Sequence, residues 1–283
     1  DTIDAPLAIP LYLAALLLIS LAVASTKPRA HVALRYIAGS GTMLLGGAWA
    51  HQQDAANLHI VLAFLAGVWA ALHADAACYS LRNDKRDPAA PLLAALVSTA
   101  WAAVLGLNAI RDAALSHTLL SEWHWPAFLA ACSLLFALPL GRGPAALRDP
   151  FRDARARLAA VCWTQSLTLA VIAVALWTRD WPRELCWLAL ALTLTIAARL
   201  LRARLLEACA LAVLLLVSTS SLLAPHDIRP DALGSILGFH INIYTIISLC
   251  AAAILVLLAV LARPEHILSR ALSITAASFI LPF

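Results

Sequence analysis

Residues 116–126 read SHTLLSEWHWP and gather two histidines, a glutamate and two tryptophans between long apolar runs. Neutral imidazole binds transition metals and titrates near neutral pH, so His117 and His124 beside Glu122 raise the question of a metal or pH-sensitive site. Their spacing argues against a metal. Seven residues make two helical turns, and His51 and His59 flank a short turn without forming a compact His-x-x-x-His pair. No metal and no cofactor are expected. A second set lies in PHDIRPDALGSILGFHINIY, residues 225–244. A short helix over DALGSILGFHIN, lying at the surface or dipping inward, would bring His240 and Asn242 to the mouth of any cavity. With Arg111, Arg229 and His124 they would offer cations to a lipid pyrophosphate, as a lipid-linked sugar transferase needs.

A third set is sparse and embedded in apolar sequence: His73 and Asp75 in LHADAACYS, Gln165 between Thr164 and Ser166, and Glu207. Polar groups inside a bilayer are costly and are therefore functional suspects. Two residues along a helix turn the side chain by about 200°, so His73 and Asp75 must face different partners. Either they belong to a proton or ion relay, or they tie helices together by hydrogen bonds. The glycines of RYIAGSGTMLLGGAWA do not form a phosphate loop, because no strand precedes them and no Gly-Lys-Ser follows. On a membrane helix, small residues let a neighbour approach closely.

The elements that must position these residues follow from composition. Of 283 residues, 63% are hydrophobic and 13% charged, with a mean hydropathy of +0.85. A soluble domain carries about 25% charged residues. The chain reads as an all-α, polytopic transmembrane bundle of about ten spans, nine to ten, because hydrocarbon offers a backbone N–H no partner outside its own helix. The apolar runs fall near 5–25, 33–50, 58–78, 89–108, 126–141, 158–178, 184–200, 205–224, 243–262 and 267–282. The last has only thirteen residues beyond Arg270, about 20 Å of helix.

Charge supports this division. Only Arg111, Arg179, Arg183 and Arg229 lie in the connections after the even-numbered spans; the other sixteen of the twenty basic residues follow odd-numbered ones. Positive charge stays in the cytoplasm, so both termini face out if all ten segments cross. Trp49, Trp123, Trp125, Trp177, Trp181 and Trp187 then fall near the outer interface and are expected as belt residues. The six cysteines, with no Cys-x-x-Cys spacing, are expected as small buried hydrophobes. A net charge of +4 without a basic tract interleaved with aromatics excludes a nucleic-acid surface. Asp1 and Asp4 precede the first apolar run where a signal peptide would carry basic residues, so none is expected.

The longest basic connection, residues 142–157, divides one transmembrane domain, 1–283, into halves 1–141 and 158–283 with five spans each. Odd halves lie in opposite orientations, as in many transporters, although the loop lengths of these two do not correspond. Arg148, Arg152 and Arg155, at i, i+4 and i+7, would form one basic stripe if helical and would meet anionic lipid headgroups.

The stretch 181–218, with Trp181, Trp187, Arg199, Arg202 and Arg204 in a Leu/Ala background, resembles a hairpin repeated in a bacterial family of very long, uncharacterised multi-spanning membrane proteins. The resemblance implies architecture only, over about a third of the chain, and transfers no site; a multi-pass protein of a bacterial inner membrane is expected. HINIYTIISL also resembles the outer loop of bacterial O-antigen ligases and polymerases, where a histidine and an asparagine open a span. Three functions are therefore expected in order. The first is movement or shelter of a small or amphiphilic solute. A non-catalytic subunit scaffolding an envelope or respiratory complex follows, then a lipid-linked glycan transferase using His124, Arg229 and His240. Membrane lipids, and other membrane subunits for the second reading, are the expected partners.

Overall fold

The computed structural model describes residues 5–26, 31–82, 89–114, 120–138, 148–150, 152–223, 234–236, 239–241 and 243–261. Among these, nine α-helices account for most of the chain: α1 (Ala5–Thr26), α2 (His31–His51), α3 (Leu58–Arg82), α4 (Ala89–Ala114), α5 (His124–Ala137), α6 (Ala154–Trp177), α7 (Asp180–Leu201), α8 (Arg204–Leu223) and α9 (Ile243–Leu261). A 3₁₀ turn, Ala55–Asn57, leads into α3. Pro10 lies inside α1, but three other prolines sit where helices tolerate them. Pro91, Pro126 and Pro182 lie in the first turns of α4, α5 and α7, where the N–H has no intrahelical acceptor. The α7 helix ends at Arg202, which adopts φ 54°, the left-handed cap that lets Ala203 N–H reach the Ala198 carbonyl.

Among the described residues, five helical segments are long and apolar enough to cross a membrane: Leu7–Thr26, Ala55–Arg82, Pro91–Ala113, Ala154–Trp177 and Trp181–Leu201. The α5 helix is apolar but has only 14 residues, about 21 Å at 1.5 Å per residue. Large aliphatic side chains point outward along the helices, as at Leu44, which is 75% exposed. Water would penalise such a face; hydrocarbon does not.

The chain forms two compact units. Unit 1 comprises Asp1–Ala146 and Pro150–Ala173; unit 2 comprises Leu147–Asp149 and Val174–Phe283. In unit 1, α3 packs along α4 and also meets α1, α2 and α5, around a core that includes Leu17, Leu65, Trp69, Ile110 and Leu129. In unit 2, α7 and α8 form an antiparallel hairpin whose buried Ala191, Ala198 and Ala210 keep the helices close, and α9 packs against both.

Two glycines make close approaches possible in unit 1. A Cβ on Gly46 would strike the Phe64 ring, and one on Gly106 would strike the Trp125 indole. Trp125 is 6% exposed, and its Nε1–H donates to the Ala102 carbonyl at 2.8 Å. This corrects the belt expectation for Trp125, and for the equally buried Trp49 and Trp187. Trp177, at 64%, and Trp181 remain exposed. Interfacial position along a helix does not decide which way the ring faces; for Trp125, Gly106 on the neighbouring helix makes room for it.

Two further expectations are corrected. Residues Gly234–Ile236 and Phe239–Ile241 form antiparallel strands β1 and β2, with Ser235 opposite His240, where a short helix was expected. Glycine weakens a helix there, while Ile236, Phe239 and Ile241 favour an extended chain. Among the cysteines, Cys162 is buried but Cys78 and Cys250 are exposed.

The Gly106 contact predicts a stability difference. Gly106→Ala should cost about 1–3 kcal/mol, because the indole is pinned by its hydrogen bond and cannot yield. Gly41→Ala, with open space around its Cβ, should be neutral or stabilising by up to about 1 kcal/mol. Thermal unfolding in lipid nanodiscs, followed by circular dichroism, checks this; equal effects at both sites would contradict the docking.

Candidate functional site

A buried polar assembly in unit 1 is built on α3. Trp69 and His73, four residues apart, share one helix face. The Trp69 Nε1–H donates to Thr99 Oγ1 on α4 at 2.9 Å, and the Thr99 hydroxyl donates onward to the Ala95 carbonyl at 2.9 Å. His73 is 1% exposed. Its Nδ1 lies 2.9 Å from the Trp69 carbonyl oxygen, and its Nε2 lies 3.0 Å from Gln165 Oε1 on α6. The Gln165 amide in turn donates to the Ala95 carbonyl at 3.2 Å. Phe136 of α5 closes the assembly, its ring centroid 5.4 Å from Trp69 and 5.7 Å from His73. Four helices thus meet around one imidazole.

Asp75 faces the other way, as its offset from His73 requires. It receives Nε and Nη2 of Arg35 from α2 at 2.8 and 3.2 Å, with both side chains only 10% exposed. The guanidinium also lies 5.4 Å from the Tyr79 ring. A bidentate pair of this kind neutralises both charges and satisfies most of their hydrogen-bonding capacity. Arg35 was counted in sequence only as a topology determinant, because nothing local marks its partner forty residues away.

Unit 2 holds a buried acid that sequence reasoning missed. Glu184 of α7 is 1% exposed and accepts from Ser220 Oγ of α8 at 3.1 Å. The Ser220 hydroxyl accepts from Arg183 Nη2 at 3.2 Å, and that guanidinium lies 5.3 Å from the Trp187 ring. The adjacent Arg-Glu pair at a helix start was available as a signal, yet it looked like an interfacial boundary.

Two of the residues expected around the headgroup site have partners within unit 1. Arg111 is ion-paired with Glu122 at 2.9 Å on the surface. His124 belongs to its own turn: Nδ1 lies 3.0 Å from both Ser121 N and Ser121 O, and the ring stacks on Trp123 at 3.9 Å. Both lie in unit 1, whereas positions 229, 240 and 242 lie in unit 2. Arg229 and Asn242 fall outside the described residues, and His240 is described only as backbone of β2. Glu207 is half-buried in the first turn of α8, where the helix dipole favours a negative charge.

The arginine stripe does not form, because α6 begins only at Ala154, capped by Asp153 Oδ1 on Ala156 N–H at 2.7 Å. Arg148 Nε donates to the Leu201 carbonyl at 2.6 Å, and Arg155 Nη2 to the Leu81 carbonyl at 3.2 Å. Each satisfies an orphan carbonyl at a helix C-terminus. Arg152 is exposed ahead of α6.

No family model, curated relative or solved structure matches the chain. Among the described residues, no group of three or more His, Cys, Asp or Glu side chains converges as metal ligands do. A cavity of about 30 Å³ beside His51, Asp54 and Asp112 has room for only one or two waters.

The ion pair yields a double-mutant prediction. Arg35→Met or Asp75→Leu alone leaves one buried charge and should lower stability by about 3–5 kcal/mol. The double substitution should recover most of that loss. Thermal midpoints in nanodiscs measure it, and additive losses would mean that the two groups are not coupled.

Proposed function

We propose that this chain is a ten-span protein of the bacterial inner membrane, with both termini outside, that moves a small or amphiphilic solute across the bilayer. The observation that carries the reading is His73: an ionisable side chain buried within long apolar helices and hydrogen-bonded across to a different helix. Such groups are costly in hydrocarbon and are characteristic of pathways that change their bonding during a cycle. The arginine distribution supports the orientation. The bacterial setting rests on the resemblance of the α7–α8 hairpin.

The second reading is a non-catalytic membrane subunit. It is favoured by the dense interior around Trp69, His73 and Phe136, which reads as a structural joint. The two readings differ in whether that interior ever opens.

Ser98 of α4 is fully buried one turn from Ala95. A single cysteine placed there, Ser98→Cys in a cysteine-free background, is exposed to a membrane-impermeant maleimide in right-side-out and in inverted vesicles. A carrier should be labelled from both sides. Protection from both sides would refute transport and leave the subunit reading.

A further inference from the structure

Gln165 has one acceptor oxygen and one donor nitrogen, and the fold asks its amide to serve two partners. Its Nε2 donates to Ala95 O at 3.2 Å while its Oε1 faces His73 Nε2 at 3.0 Å; His73 Nδ1 faces Trp69 O at 2.9 Å. Both imidazole nitrogens therefore meet oxygen acceptors, and only a doubly protonated ring donates to both. A neutral ring keeps one lone pair. With its proton on Nδ1, Nε2 opposes Gln165 Oε1 unless the amide turns over. Turned over, the amide donates to His73, but its oxygen then faces the Ala95 carbonyl. With the proton on Nε2, the Nδ1 lone pair opposes Trp69 O. Each neutral arrangement sets two lone pairs against each other between α3 and α6, between α4 and α6, or within α3.

The imidazolium relieves all three conflicts at the cost of a charge in hydrocarbon. Aromatic faces soften that cost: the His73 ring lies 4.2 Å from the Trp69 ring, tilted by 33°, with Phe136 at 5.7 Å. Competing charges are few. The α1 helix, residues 89–110 of α4, 125–137 of α5 and 158–177 of α6 contain no Asp, Glu, Lys, Arg or His, and their titratable groups are Tyr12, Cys132 and Cys162. The α2 helix supplies Arg35, already paired with Asp75, besides Tyr36 and the terminal His31 and His51. On α3 itself, His59, Cys78, Tyr79 and Arg82 complete the set.

We propose that His73 is a proton-binding site and that its proton decides which way the Gln165 amide faces, making the α3–α6 contact a proton-operated latch. A proton delivered by hydronium forms the second ring N–H bond, releases water, and ties α3, α4 and α6 through one continuous set of bonds. Its loss breaks the set at one link, between α3 and α6, between α4 and α6, or within α3, and in the first two cases frees α6 from α3 or α4. If the chain is a carrier, the proton is its coupling ion, a step that rests on the transport reading.

The test uses the full-length protein in lipid nanodiscs with ¹⁵N-labelled histidine, the His73 signal being assigned by its absence in His73→Gln. Its ring nitrogens are followed across about pH 5 to 8. In parallel, nitroxides on the exposed positions Ala74→Cys and Thr168→Cys, in a background without the native cysteines, report the α3–α6 distance. The expected result is a change from two ring protons to one as pH rises. The inter-label distance should shift at the same midpoint, and that shift should be lost in His73→Gln. Gln165→Leu should leave His73 singly protonated throughout. A constant proton count in the wild type, or a titration that leaves the distance unchanged, overturns the latch. A working latch with Ser98→Cys protected from both sides would remove the transport reading alone.

Discussion

Hydrocarbon gives a polar group nothing to bond, and the architecture follows from that constraint. Backbone groups satisfy themselves by forming helices; side chains must find their partners on the same helix or across to another. Hydroxyls take the local route: Thr164, Thr168, Thr193, Thr195, Ser218 and Thr219 each donate to the carbonyl four residues earlier. Groups too large or too charged for that route cross between helices, as Arg35 does to Asp75 and Gln165 does to His73 and Ala95. Thr42, Ser80 and Ser133 are buried hydroxyls to which the described residues offer no acceptor, as they offer none to Trp49 Nε1, and we have no physical account of them.

Close approach between helices makes the crossings short. Gly46 admits Phe64, Gly106 admits Trp125, and the alanines of α7 and α8 bring that hairpin together. In lipid no hydrophobic force drives helices together, so contact depends on van der Waals fit and on interhelical hydrogen bonds. The two act on the same residues. Trp125 fills the space over Gly106 and also spends its N–H on Ala102, while Trp69 packs against Phe136 and donates to Thr99.

Much of this was legible in the sequence. Nine of the ten apolar runs correspond to described helices within a few residues, because their length and composition leave helix as the only way to satisfy the backbone. The opposed directions of His73 and Asp75 followed from helical geometry. Their partners did not, since Arg35 and Gln165 are far away in the chain and nothing near them marks the pairing. Depth along a helix could be read from charge and tryptophan, but facing could not, so Trp49, Trp125 and Trp187 were assigned to the interface. The β1–β2 pair escaped because a short Gly-rich segment carries no helical period and its alternation is too brief to register. His124 looked chemical because of its neighbours, whereas its own turn engages it.

The claim on which the account depends is that His73 and Gln165 hold α3 to α6. A double-mutant cycle with His73→Ala and Gln165→Ala, read as unfolding free energy in bilayers, isolates that bond from the packing around it. The account predicts a coupling of about 1 kcal/mol, in the range found for hydrogen bonds between membrane helices. Strictly additive losses would contradict it and reduce the pair to two neighbouring side chains.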